Sequence, residues 1–226
     1  VFVGRNSTGV RGIKLANKDE VVSMSILNHS DATSEERDEY LRISSAMKRI
    51  QAEKGEGAEV SIADTGVEMT VLTEEKFGLM RENEQFILSV TTTGYGKRSS
   101  SYEYRVTGRG GQGIANMEMS ARNKEIASSF PIEDDNQIMM VTDAGKLIRM
   151  PVEDIRIAGR KTQGVILFRT AEGEKVVSVT KLEADDDDEE ELTSESESEV
   201  LGANIPEFDE TEAAVEEPEV VSQDAE

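Results

Sequence analysis

A seven-residue signature, Gly-Arg-x-x-x-Gly followed by Val or Ile, occurs three times in this chain. The copies are Gly4-Arg5…Gly9-Val10, Gly108-Arg109…Gly113-Ile114 and Gly159-Arg160…Gly164-Val165. The second and third keep one register, from Gly108 to Gly159, and that register continues upstream without a gap. Val90-Thr91 matches Val141-Thr142, Gly94 matches Gly145, Arg98 matches Arg149, Glu103 matches Asp154 and Arg105 matches Arg156. Self-similarity with a period near fifty residues and strand-like segments means a blade or array fold, in which each unit packs on its neighbours.

Each full repeat reads as four short strands. In the first they fall at 86–92, 102–106, 113–119 and 125–130, with Lys97-Arg98 at a strand edge. In the second they fall at 137–142, 147–151, 154–157 with 165–170, and 176–180. Thr93-Gly94-Tyr95-Gly96 and Asp143-Ala144-Gly145-Lys146 supply glycine where a tight turn needs positive φ. Residues 1–27 hold only the second half of such a unit, and the opening Val-Phe-Val-Gly, already inside a repeat, reads as a truncation.

The first two signatures are separated by just over two periods, which invites a hidden middle copy. Residues 55–60 lack the arginine and glycine spacing such a copy would need, so an insert at 28–85 replaces a short blade junction like that at 131–136. Thr33-x-x-Glu36 resembles a capping box, and Tyr40, Ile43, Met47 and Ile50 recur at helical spacing. The insert is therefore expected to be partly helical and to project from the blades as a mobile module.

Charge divides the chain in the same places. Residues 183–226 contain 20 acidic and no basic residues, and residues 28–85 contain 14 acidic against 7 basic, whereas the repeats carry a small positive surplus. A mildly basic body with an anionic tail is a different object from a uniformly acidic protein. The tail lacks a periodic apolar face and cannot offset its ordering entropy, so it is expected to be disordered. The organisation is a partial blade (1–27), an insert (28–85), two blades (86–136 and 137–182) and a tail (183–226). The absence of cysteine excludes disulfide and thiolate chemistry, and no apolar run approaches the length of a membrane helix.

Four stretches, Gly-Val-Arg-Gly-Ile-Lys-Leu at 9–15, Thr-Thr-Gly-Tyr-Gly-Lys-Arg at 92–98, Ile-Met-Met-Val-Thr-Asp-Ala-Gly-Lys-Leu-Ile-Arg at 138–149 and Gly-Arg-Lys-Thr-Gln-Gly-Val-Ile-Leu at 159–167, resemble the C-terminal domain of the DNA gyrase A subunit. The resemblance covers the repeats and extends to the acidic tail, while the insert departs from it. It implies an all-β, propeller-like β-pinwheel of four-stranded blades with duplex DNA wrapped around a basic rim. It further implies partnership with the upstream part of the gyrase A polypeptide and with the gyrase B subunit, in an A2B2 assembly of the bacterial cytoplasm and nucleoid. That assembly uses ATP and magnesium to introduce negative supercoils. The family's glutamine-arginine-arginine-double-glycine box is expected before Val1, and Gly108-Arg109-Gly110-Gly111-Gln112-Gly113 resembles it only weakly. The DNA-cleaving tyrosine also belongs upstream, so no catalytic residue and no cofactor are expected here. The corresponding domain of topoisomerase IV is the nearest alternative. A non-enzymatic blade platform for protein partners is the alternative of another class.

Duplex binding without sequence readout needs cations spaced along a path, because phosphates are the target. Arg5, Arg11, Lys97, Arg98, Arg105, Arg109, Lys146, Arg149, Arg156, Arg160 and Lys161 satisfy this by lying on the repeats. For the in-phase pairs Arg98/Arg149, Arg105/Arg156 and Arg109/Arg160, structural ion pairing, with Glu103 and Asp154 as partners, is the competing role. The glycine-rich 108–113 loop lacks the setting and the Lys-Ser/Thr of a phosphate loop, and His29 stands without metal-ligating company.

Overall fold

The computed structural model describes residues 3–55 and 58–183. Among these residues seven strands form two antiparallel sheets: β1 (Phe86–Thr91), β2 (Tyr95–Ser100), β3 (Ile126–Ile132), β4 (Gln137–Thr142), β5 (Leu147–Pro151), β6 (Val165–Ile166) and β7 (Val176–Leu182). The first sheet runs β3-β1-β2-β6 and the second β5-β4-β7. Alternation along the strands directs Leu88, Val90, Ile132, Ile138, Met140 and Val176 into one shared core, which Val152 and Ile155 of the turn after β5 complete. The repeats are thus fused through apolar burial as well as through chain connection.

The outer strand of the first sheet comes from the second repeat. β6 pairs with β2 through Tyr95 opposite Ile166 and Gly96 opposite Val165. Glycine is required at this seam, because a Cβ on Gly94 (φ +77°) would stand 2.0 Å from the Phe168 carbonyl oxygen, and one on Gly164 (φ +81°) would stand 2.7 Å from that of Gly96. The Gly94 carbonyl accepts from the Leu167 and Phe168 amides at 2.9 and 3.1 Å. Gly145, the repeat partner of Gly94, has the same handedness (φ +79°) but open space around it.

Several strand expectations need correction. Lys97 and Arg98 lie inside β2; β1 flanks one side of it, and on the other the 156–158 chain bonds to the Arg98 backbone beyond the end of β6, so they form no open edge. Residues 102–106 form a 3-10 turn (Ser101–Glu103) and then extended chain, and 113–119 form no strand. Of 154–157 only Ile157 bridges a strand, at Arg98, and the expected 165–170 strand shrinks to two residues. Residues 21–27, which align with β7, pair with no strand; Ser23 Oγ donates to the Ser129 carbonyl at 2.7 Å.

The insert forms α1 (Ser34–Lys54) and α2 (Glu74–Glu82). Thr33 Oγ1 accepts from the Glu36 amide at 3.2 Å while the Glu36 carboxylate accepts from the Thr33 amide at 2.8 Å, completing the capping box. The Glu39 carboxylate takes the Val71 and Leu72 amides at 2.7 and 2.8 Å, and its hydrogen bonds to the 70–72 backbone hold its pKa down at about 2. Tyr40, Ile43, Leu72, Phe77 and Met80 build a small core that Tyr102 of the first blade completes. The Tyr102 ring meets Tyr40 edge-on at 5.2 Å, and its hydroxyl donates to the Met80 carbonyl at 2.9 Å. A free, projecting module is therefore the wrong picture, because its core is closed by the blade. The acidic tail beyond Glu183 lies outside the described residues.

Candidate nucleic-acid interface

The three signatures fold as arms that hydrogen-bond in succession. The Lys14 amide donates to the Gly111 carbonyl at 2.8 Å, and the Gly110 amide donates to that of Gly12 at 2.6 Å, joining the first arm to the second. The Glu118 amide donates to the Thr162 carbonyl at 3.1 Å, and Arg160 Nη1 donates to the Ala115 carbonyl, joining the second to the third. The turn inside each of the outer arms has a local cause. Ser7 and Thr162 occupy matching positions and donate their amides to the Gly4 and Gly159 carbonyls at 3.0 and 3.1 Å. Repetition in sequence thus becomes a side-by-side ladder in space.

The candidate cations divide by their place on this scaffold. Arg5, Arg11, Arg109 and Lys161 lie exposed on the arms, and Arg105 and Arg156 are exposed beside them. Lys146 and Arg149 are exposed, one just before β5 and one within it. Lys146 Nζ is 2.7 Å from Glu174, and Arg149 Nε donates to Gln137 at 2.6 Å. Arg160 is half-buried: its amide is held by Glu103 and its Nε is enclosed without a hydrogen-bond partner.

Lys97 and Arg98 are removed from the candidate surface. Lys97 has no exposed area, and its ammonium donates to the carbonyls of Gly159, Arg160 and Thr162 at 2.8, 2.7 and 3.2 Å. Burial pushes its pKa down to about 8, which leaves it protonated at neutral pH. Arg98 is 6% exposed; its Nε donates to the Ile155 carbonyl at 2.6 Å, Nη2 to that of Glu153 at 3.1 Å, and Nη1 pairs with Asp134. Both side chains fasten the second repeat to the first, so their donors are already committed. The ion-pair role holds for Arg98, but its acid is Asp134 rather than Glu103 or Asp154, because Asp134 sits on the junction that faces it. Glu103 serves the Arg160 amide instead.

Lys14 is an exposed arm cation beyond the candidate set, although its place in Gly-Val-Arg-Gly-Ile-Lys could have flagged it. Arg37 of the insert is a further cation outside that set, half-buried in the first turn of α1 and near Tyr104, whose carbonyl is 3.5 Å from its Nη1. The insert's net negative charge concealed it. Among the described residues no cluster of metal-ligating side chains occurs and no helix is long and apolar enough to cross a membrane. His29 pairs with Asp31, at 3.1 Å.

Known proteins share this ladder's sequence. The family model described as the DNA gyrase C-terminal domain, beta-propeller, matches residues 2–28, 85–128 and 136–183, leaving out the helical insert. The DNA gyrase A subunit of Granulibacter bethesdensis is 51% identical over 185 residues, which cover 79% of this chain and 20% of that protein. Its counterpart in Rickettsia bellii is 46% identical over 201 residues, 88% of this chain and 21% of that protein. A solved DNA gyrase A C-terminal domain aligns at 21% identity and a TM-score of 0.42, over 44% of this chain and 34% of that one. The chain spans about a fifth of the length of the curated relatives it matches. With the repeat register and the family match in agreement, the chain belongs to the DNA gyrase C-terminal domain family, with a β-propeller-type fold.

Proposed function

We propose that this chain binds duplex DNA without reading its sequence and bends it along the arm ladder, as the wrapping part of a gyrase A subunit. The observation that carries the reading is the hydrogen-bonded succession of arms, which bear the exposed cations Arg5, Arg11, Arg109 and Lys161. Phosphates recur along a duplex whatever its sequence, so a track of cations on a repeating backbone suits them better than it suits base edges. The relatives' identity as gyrase A subunits favours gyrase over topoisomerase IV. It also supports assembly with the gyrase B subunit into A2B2 in the bacterial cytoplasm, where ATP and magnesium bound elsewhere in the enzyme drive negative supercoiling. This segment supplies binding and curvature and carries out no bond-making step.

The test is charge reversal of Arg109 and Arg156 together, both exposed. Affinity should fall similarly for unrelated duplexes, and the log–log salt slope should flatten by about 0.9 for each phosphate no longer neutralised. An unchanged slope in a variant that melts normally would remove these arginines from the interface. Salt-insensitive capture of a protein partner would instead support the platform alternative.

A further inference from the structure

A notch of about 240 Å³ opens where the insert meets the second and third arms. Three arginines from three different segments line it: Arg37 from α1, Arg105 from the chain leading into the second arm, and Arg160 from the third. Their donors are only partly used. Arg37 reaches the Thr33 and Tyr104 carbonyls at 3.4 and 3.5 Å, both at the long limit of a hydrogen bond. Arg105 is exposed and, among the described residues, makes no side-chain hydrogen bond or ion pair. Arg160 spends Nη1 on the Ala115 carbonyl and has no partner for Nε. Two carboxylates share the notch. Glu103 is occupied by the Arg160 amide, and Asp38, exposed on α1, is the one uncommitted negative group.

We propose that this notch seats a phosphate of the bound duplex, and that the helical insert therefore extends the DNA track through Arg37. The inference rests on the DNA-binding reading above and deepens it. Continuity supports the choice of ligand: Arg160 both lines the notch and ties the second arm to the third, so a strand following the ladder passes its mouth. Guanidinium forks converging from three segments suit a group with two free oxygens to share, and a duplex offers that group at regular intervals. Of the insert's acids near the notch, Glu36 and Glu39 are bound to Lys76 and to the 70–72 backbone inside the module, which leaves Asp38 facing three arginines.

The experiment uses the full chain and two unrelated duplexes across a salt series. Arg37→Gln should lower affinity several-fold at low salt for both sequences and flatten the log–log slope by about 0.9. Arg37→Lys keeps the charge while losing the fork, so it should preserve the slope. Arg109→Glu with Arg156→Glu is the control for DNA binding along the arms. If the control weakens binding while Arg37→Gln leaves the slope unchanged, the notch proposal falls and DNA binding stands. If neither variant weakens binding, both fall together. A slope lost equally in Arg37→Gln and Arg37→Lys, together with a lowered melting temperature, would overturn the proposal in favour of a structural tie to Tyr104. So would polyglutamate binding more tightly than duplex in an Arg37-dependent way, which would indicate an acidic protein partner.

Discussion

Gly94 and Gly145 offer a matched pair for weighing the seam between repeats. They occupy the same repeat position with nearly the same backbone, at φ +77° and +79°. Alanine at either site must adopt a left-handed conformation, which costs about 1–2 kcal/mol, partly offset by a stiffer unfolded chain. Both terms are common to the pair and cancel in the difference. At Gly145 nothing else is disturbed, since no atom lies within 4 Å of the new methyl group. At Gly94 that methyl would stand 2.0 Å from the Phe168 carbonyl oxygen, a backbone atom that cannot rotate away. Relief requires β6 and the chain after it to withdraw, which breaks the two hydrogen bonds from Leu167 and Phe168 to Gly94. At about 1 kcal/mol each these add roughly 2 kcal/mol, before any loss of packing. Gly94→Ala should therefore cost roughly 3–4 kcal/mol and Gly145→Ala about 1–2 kcal/mol. For a domain of this size those costs correspond to melting shifts of roughly 10 °C and roughly 4 °C. Thermal and urea melts of both variants at equal concentration decide the matter. Equal shifts would show that the seam between β2 and β6 contributes nothing beyond backbone strain.

Lys97→Met should destabilise the fold by about 2–3 kcal/mol, because it strips charge-assisted hydrogen bonds from three carbonyls of the third arm and leaves that of Arg160 without its donor; a urea melt with unchanged midpoint would contradict this. The Glu174 carboxylate, bound by Lys146, Thr142 and the Ala171 amide, has its pKa lowered to about 2. Its folded value lies below its unfolded one, so its stabilisation is complete above about pH 4.5 and drains away as pH falls towards 2. Glu174→Gln should therefore melt below wild type at pH 7 and approach it near pH 2, and a constant gap would refute the assignment. Truncation after Leu182 removes a dense anionic segment covalently joined to the second blade, so if it competes with phosphate for the arm cations, duplex binding should tighten at low salt and the gain should shrink as salt screens it. Equal binding at every ionic strength would reduce the tail to a solubiliser.

What is legible in the chain is periodic. The signature spacing exposes the repeats, and Thr33 with Glu36 marks the start of α1. What escapes depends on which repeat covers which strand. Arg98 and Arg149 are indistinguishable by register, yet β2 is overlaid by the following repeat while β5 is the outermost strand of its sheet, so one arginine is buried and the other exposed. Lys97 resembles a rim cation for the same reason, since a basic residue in a strand gives no sign that three carbonyls will surround it. The docking of the insert is hidden in Tyr102, which belongs to a blade by sequence and to the insert's core by packing. Local composition records neither fact.

The loan of β6 to the first sheet also sets an order of events during synthesis. β1 and β2 leave the ribosome about 65 residues before Val165 and Ile166, judged from their positions at Ser100 and Val165. At ~5–20 residues per second that interval lasts roughly 3 to 13 s. Throughout it the free edge of β2 presents unpaired amides and carbonyls, with Gly94 and Gly96 offering no side chain to shield them. The second blade thus supplies the closing piece for the one made before it. A nascent chain stalled between Ser100 and Val165 holds an open edge that another nascent chain on the same messenger could occupy.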